Sequence, residues 1–230
     1  MIRLVLFDVD GTLIHTGGAG VKAFARAFAS EFGIQDGTGR LKFGGRTDFS
    51  LVREVFTHAG IEPSPENFER FFAAYLACLR KIIVDCKGGA CRGVLEFQAA
   101  LAARPEPPLL GLLTGNIKQG AQIKLEHFNL WQKFPFGGFA DDHEERDQIA
   151  AIALQRGSQR LGRPLRGEEV LVIGDTPLDI RCGRSIGAKV LAVASGGASL
   201  EELRSHRPDW AAADLSQISA VEVLDGAEQS

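Results

Sequence analysis

"LVLFDVDGTLI", residues 4–14, runs four strongly apolar residues into two aspartates and a glycine. The apolar residues favour a buried, extended strand, and Gly11 breaks it. On an extended backbone residues i and i+2 point the same way, so the carboxylates of Asp8 and Asp10 are expected to face one spot where the strand ends. Two like charges so placed must be solvated, protonated or neutralised by a cation.

Downstream, short apolar runs recur at residues 109–113, 136–140, 170–173, 190–193 and 210–213, separated by helical stretches near 118–129, 147–161 and 178–186. The runs at 109, 170 and 190 are almost wholly apolar, as strands of a parallel sheet covered on both faces are. This β-α-β rhythm predicts an α/β fold with a Rossmann-like, doubly wound parallel sheet. Residues 22–84 read instead as helical. Val21, Phe24, Ala25, Phe28 and Phe32 share one helical face, and a second helix opens at Ser64 and Pro65 with Phe68, Phe71, Phe72, Tyr75, Leu79 and Ile82 in a stripe that reads as packed core. The expected organisation is therefore a core of residues 1–14 and 92–230 with an α-helical cap, 15–91, inserted between them. Gly17, Gly18 and Gly20 on one side, and Gly88, Gly89 and Gly93 on the other, are candidate hinges or simple turns. The terminal "GAEQS" is expected to fray.

Composition narrows the function classes. A formal net charge of −3 offers no strong polycation to nucleic acid or to an anionic lipid surface. No apolar run reaches transmembrane length, and the first apolar stretch meets Asp8 too soon for a signal peptide, which predicts a cytoplasmic protein. Cys78, Cys86, Cys91 and Cys182 form no C-x-x-C pair and read as reduced, structural thiols rather than a zinc site. Oligomeric state leaves no mark on the sequence.

Three apolar runs end in polar segments: "DVDGT" at 8–12, "TGN" at 114–116 and "GDTPLD" at 174–179. Ligands of an open parallel sheet bind beyond the carboxyl ends of its strands, so these segments are expected to line one crevice. That places Asp8, Asp10, Asp175 and Asp179 beside the hydroxyl and amides of Thr114, Gly115 and Asn116. Several carboxylates around one point make a hard oxygen site that favours Mg2+, which usually binds together with a substrate phosphate. An EF-hand is excluded, because Gly11 stands fourth rather than sixth and position twelve is Ala19. Thr176 and Pro177 read as a helix start, so Asp179 at the third helical position serves equally as ligand or as cap.

With these motifs the chain resembles the haloacid dehalogenase superfamily, in its phosphatase branch with a helical cap of the phosphoglycolate phosphatase type. "DVDGT", "TGN" and "GDTPLD" resemble that family's first, second and fourth motifs. The resemblance implies an Mg2+-dependent phosphatase acting on a small phosphorylated metabolite through an aspartyl-phosphate. Asp8 is then the nucleophile and Asp10 the acid and base. Mg2+ is held by Asp8, the backbone carbonyl of Asp10 and Asp175, with Asp179 supporting, while Thr114 and the amides of Gly115 and Asn116 hold the phosphoryl group. For the third motif the best positional match is Arg146, with Lys118 and Lys124 as runners-up expected on an exposed helix face. "GGRTDFS" at 44–50 resembles a cap loop facing the active site, where Arg46 is a candidate for a second anionic group or merely precedes a helix start. His15 stands where this branch often has an acid. A phosphomutase of the β-phosphoglucomutase type and a catalytically silent phosphate-binding regulatory module are the alternatives; dehalogenation fits less well, since it needs neither Mg2+ nor Asp10.

Overall fold

A computed structural model describes residues 1–225; the expected fraying of 226–230 lies outside the described residues. Strand β1, Leu4–Phe7, is wholly buried. A short strand β2, Ile14–His15, leads into three helices, α1 (Ala19–Phe32), α2 (Asp48–His58) and α3 (Pro65–Ile82). Strand β3, Gly89–Ala90, brings the chain back. Then follow α4 (Val94–Ala102), β4 (Leu109–Leu113), α5 (Lys118–His127), β5 (Gly137–Gly138), α6 (Arg146–Arg160) and β6 (Val170–Gly174). The chain finishes with α7 (Pro177–Ser185), β7 (Lys189–Val193), α8 (Leu200–Ser205), β8 (Trp210–Ala212) and α9 (Ala220–Asp225).

The main sheet has the order β5-β4-β1-β6-β7-β8, and its pairings are parallel. From β1 the chain winds outward through β4 to β5 and then, on the other side, through β6 and β7 to β8. Strand β1 thus lies at the switch point, where an α/β sheet opens a crevice at its carboxyl edge. The alternation of β1 explains its uniformly apolar sequence. Val5 and Phe7 pack on one face with Val94, Phe97 and Leu125, whereas Leu4 and Leu6 pack on the other with Ile149, Ala153 and Cys182. The doubly wound fold is as expected, although β5 pairs over only two residues rather than along 136–140. It is an edge strand, and such edges are commonly short.

The helical cap has a core of its own, built on the aromatic stripe. Phe28 and Phe71 approach to 4.3 Å between ring centroids and Phe24 and Tyr75 to 4.7 Å. Residues 22–84 are not continuously helical. Gly33, with φ 68°, ends α1 in a left-handed turn, and residues 34–46 form an irregular loop that returns Phe43 to 5.6 Å from Phe24. Val21 is exposed instead of buried. The inner stripe of α1 is Ala19, Ala23, Phe24, Ala27 and Phe28, whose alanines admit α3 closely. The antiparallel β2–β3 ribbon pairs Ile14 with Ala90 and His15 with Gly89, and we place the boundary between the proposed cap, 15–91, and the core there. The four cysteines are free thiols.

Phe71 is fully buried among five other rings, those of Phe24, Phe28, Phe56, Phe72 and Tyr75. Phe71→Ala is expected to cost about 3–5 kcal/mol by leaving a cavity no neighbour can fill. Urea unfolding followed by circular dichroism measures this, and a loss under 1 kcal/mol would mean that the stripe is not the cap's core.

Candidate active site

Asp8 follows β1 and is held in line by its own N–H, which donates to the Ile173 carbonyl at 2.9 Å. Asp175 follows β6, and Asp179 is the third residue of α7. All three are at least nine-tenths buried, and their carboxylate oxygens lie within 4.8 Å of one another. Asp179 is ligand candidate and cap at once: its Oδ2 accepts from the Thr176 N–H at 3.0 Å and from the Thr176 hydroxyl at 2.6 Å, closing a capping box. The remaining Oδ1 takes a hydrogen bond from Arg146, whose Nη2 also stands 3.7 Å from Asp8 Oδ1. Arg146 is itself buried at the start of α6, and its Nε has no hydrogen-bond partner among the described residues.

Burial drives the electrostatics. It is the largest cause raising Asp8 well above the usual carboxylate range; the charge of Asp179 adds to it, and Arg146 opposes it. Asp175 is pushed up to about 7, again mainly by burial and then by Asp179. Three ionised carboxylates against one guanidinium leave two negative charges in a desolvated pocket, the deficit a divalent cation corrects. An all-carboxylate donor set suits a hard cation such as Mg2+ or Ca2+ better than a soft one.

Asp10 stands apart from that cluster. Its carboxylate, 41% exposed, turns to Lys124 Nζ at 2.6 Å and Asn116 Nδ2 at 2.8 Å. The same ammonium donates to Asn116 Oδ1 at 2.5 Å, and Asn116 Nδ2 also donates to Thr114 Oγ1 at 2.9 Å. Thus Thr114, Gly115 and Asn116 line the same cavity as Asp8, Asp10 and Asp175, a space of about 160 Å³. Lys124 corrects its expected placement. One turn and a half along α5 it points inward and is 4% exposed, because Asp10 and Asn116 supply the partners that make burial tolerable. Lys118 is exposed, and His15 is an exposed member of the ribbon that does not line the cavity.

The cap covers the site through residues 46–48. The Asp48 N–H donates to the Gly115 carbonyl at 2.7 Å, Asp48 Oδ2 accepts from the Ile117 N–H at 2.8 Å, and the Thr47 hydroxyl donates to the Glu144 carbonyl at 2.9 Å. Gly115 permits this contact, since a Cβ there would lie 2.1 Å from the Arg46 carbonyl oxygen. Arg46 lines the cavity, but its guanidinium is engaged by Glu54 at 2.6 Å and the Ser50 carbonyl at 3.3 Å.

A fourth polar strand end, not singled out from the sequence, braces the site from behind. After β7, "SGG" at 195–197 sends the Ser195 hydroxyl to the Gly11 carbonyl at 2.7 Å and the Gly197 N–H to Asp175 Oδ2 at 3.3 Å. Asp175 Oδ1 accepts from the Thr12 hydroxyl at 3.2 Å. Gly11, with φ 82°, has no alternative, because a Cβ would stand 2.5 Å from Asp175 Oδ2.

Three comparisons bear on this arrangement. Residues 5–193 match the model of the haloacid dehalogenase-like hydrolase family. The pyrophosphatase PpaX of Halalkalibacterium halodurans is 24% identical over 213 residues, covering 91% of each chain. Among solved structures, a predicted phosphoglycolate phosphatase from Haemophilus somnus superposes with a TM-score of 0.69 at 20% identity, over 94% of this chain and 95% of that one. A hydrolase from Pseudomonas syringae gives 0.70 at 20% identity with the same coverage.

Proposed function

The chain belongs to the family of haloacid dehalogenase-like hydrolases, and on that premise we propose that it is a magnesium-dependent phosphatase of a small phosphorylated metabolite. The observation that carries this reading is the meeting of Asp8, Asp175 and Asp179 within 4.8 Å at the switch point of the sheet, beside the Asp10, Asn116 and Lys124 network. The names of relatives, a pyrophosphatase and a phosphoglycolate phosphatase, support phosphate-ester or anhydride hydrolysis.

Each residue then has a task. The Asp8 carboxylate attacks phosphorus, a P–O bond to Asp8 forms, and the P–O bond to the leaving group breaks. Asp10, fixed by Lys124 and Asn116, gives a proton to the departing oxygen and later takes one from the water that attacks the aspartyl-phosphate. That second attack releases inorganic phosphate and restores Asp8. Thr114 and the amides of Gly115 and Asn116 hold the phosphoryl oxygens, and Arg146 keeps Asp8 and Asp179 in place. Mg2+ would be held by Asp8, the Asp10 carbonyl and Asp175 with Asp179 in support; it supplies positive charge against the anionic phosphoryl group.

Metal removal tests the reading. With 4-nitrophenyl phosphate as a generic substrate, EDTA is expected to lower turnover by at least about 100-fold, and excess Mg2+ to restore it. Turnover that survives EDTA unchanged would remove the proposal.

A further inference from the structure

We infer that the cavity over Asp8 selects phosphoesters whose leaving group is uncharged and hydroxylated, a short polyol or sugar, through the Asp48 carboxylate and the Tyr75 hydroxyl. This deepens the phosphatase reading above and rests on it.

Charge is the first argument. The cations that line the cavity are Arg46, Lys124 and Arg146, and each already faces an acid: Glu54 at 2.6 Å, Asp10 at 2.6 Å, and Asp179 with Asp8. Asp48, buried in the same wall, makes no ion pair among the described residues and has one backbone N–H on Oδ2. A second phosphate or a carboxylate on the substrate would therefore meet a buried acid and find every lining cation engaged. Burying an unpaired anion there is costly.

Hydrogen bonding is the second. The Tyr75 ring is locked between Phe24 and Phe71, fully buried, yet Tyr75 lines the cavity and its hydroxyl bonds to no described residue. Burial, with the negative charges of Asp48 and Asp10 behind it, raises its proton affinity, so it stays a phenol and a donor. Asp10 is the group that must reach the departing oxygen; Tyr75 and Asp48 thus flank the space where the rest of the leaving group sits. A substrate hydroxyl can donate to Asp48 and accept from Tyr75. Asp48, lifted to about 7 by burial, can bond a hydroxyl in either protonation state. Phe24, Phe43 and Leu51 offer apolar surface to the carbon skeleton.

The test compares kcat/KM, with Mg2+ present, for glycerol 1-phosphate and glucose 6-phosphate against pyrophosphate and 2-phosphoglycolate, with 4-nitrophenyl phosphate as reference. The better hydroxylated substrate is expected to exceed both anionic ones by about 10-fold or more, since buried polar groups left unpaired penalise the wrong ligand. Tyr75→Phe, which keeps the packing, should raise KM for the hydroxylated substrate and lower its kcat/KM about 10-fold relative to the aryl phosphate. Asp48→Asn should narrow its advantage over pyrophosphate. Preference of the wild type for pyrophosphate or phosphoglycolate, or a Tyr75→Phe ratio equal to wild type, overturns the inference while aryl phosphate turnover keeps the phosphatase reading standing. No turnover of any of the five defeats both.

Discussion

Asp8→Asn is expected to abolish phosphatase turnover, by about 10⁴-fold or more, and to leave the metal-free protein at least as stable as wild type. The first effect follows from chemistry, because an amide cannot act as the attacking oxygen nucleophile and the reaction has no covalent path without it. The second follows from the surroundings of the carboxylate. Asp8 is buried, its ionised form is opposed by desolvation and by Asp179 and Asp175, and Arg146 compensates in part. A neutral side chain of the same shape removes that repulsion, which is the usual trade of stability for activity at such sites. Thermal unfolding in EDTA and a turnover assay, run on the same preparation, check both halves. A variant that is inactive but strongly destabilised would mean that Asp8 is a structural acid.

Arg146 gives the opposite signature. It is the buried cation touching the cluster, bonded to Asp179 and 3.7 Å from Asp8. Arg146→Met removes the charge and keeps most of the stem, leaving three acids with hydrogen bonds from Thr12, Gly197 and Thr176 but no compensating cation. Breaking one side of a buried ion pair costs about 3–5 kcal/mol, so the metal-free variant should melt well below wild type. Added Mg2+ should recover part of that loss, because a dication supplies the missing charge, and turnover should fall by about 10²–10³-fold even when the metal saturates. Equal melting points for variant and wild type in EDTA would show that Arg146 carries no electrostatic load.

Much of this was readable in advance, and the exceptions have physical causes. The strands at 109–113, 170–173 and 190–193 announced themselves because burial on both faces leaves no polar positions in them. The strand-end acids followed from the topology of such sheets. Lys124 was misread because a lone lysine in a weakly amphipathic helix has no local mark of burial; its partners, Asp10 and Asn116, lie 114 and 8 residues away. Asp48 opens α2, just after Arg46, as a helix start there implies, but its bond to the Ile117 N–H depends on how the cap settles over the core. Tyr75 looked like one more ring of a packed stripe; that it opens onto the cavity depends on the position of α3 over α5. Local periodicity reports which face is buried, whereas pairings between distant segments emerge only from the assembled fold.

The most direct measurement is to quench the enzyme during turnover of an aryl phosphate with Mg2+, reduce it with borohydride, and map the product by peptide mass spectrometry. An acyl phosphate is reduced to the alcohol, so the account predicts homoserine at position 8 and intact aspartate at 10, 175 and 179. Reduction at any other acid, or none at all under conditions of steady turnover and saturating metal, would contradict it.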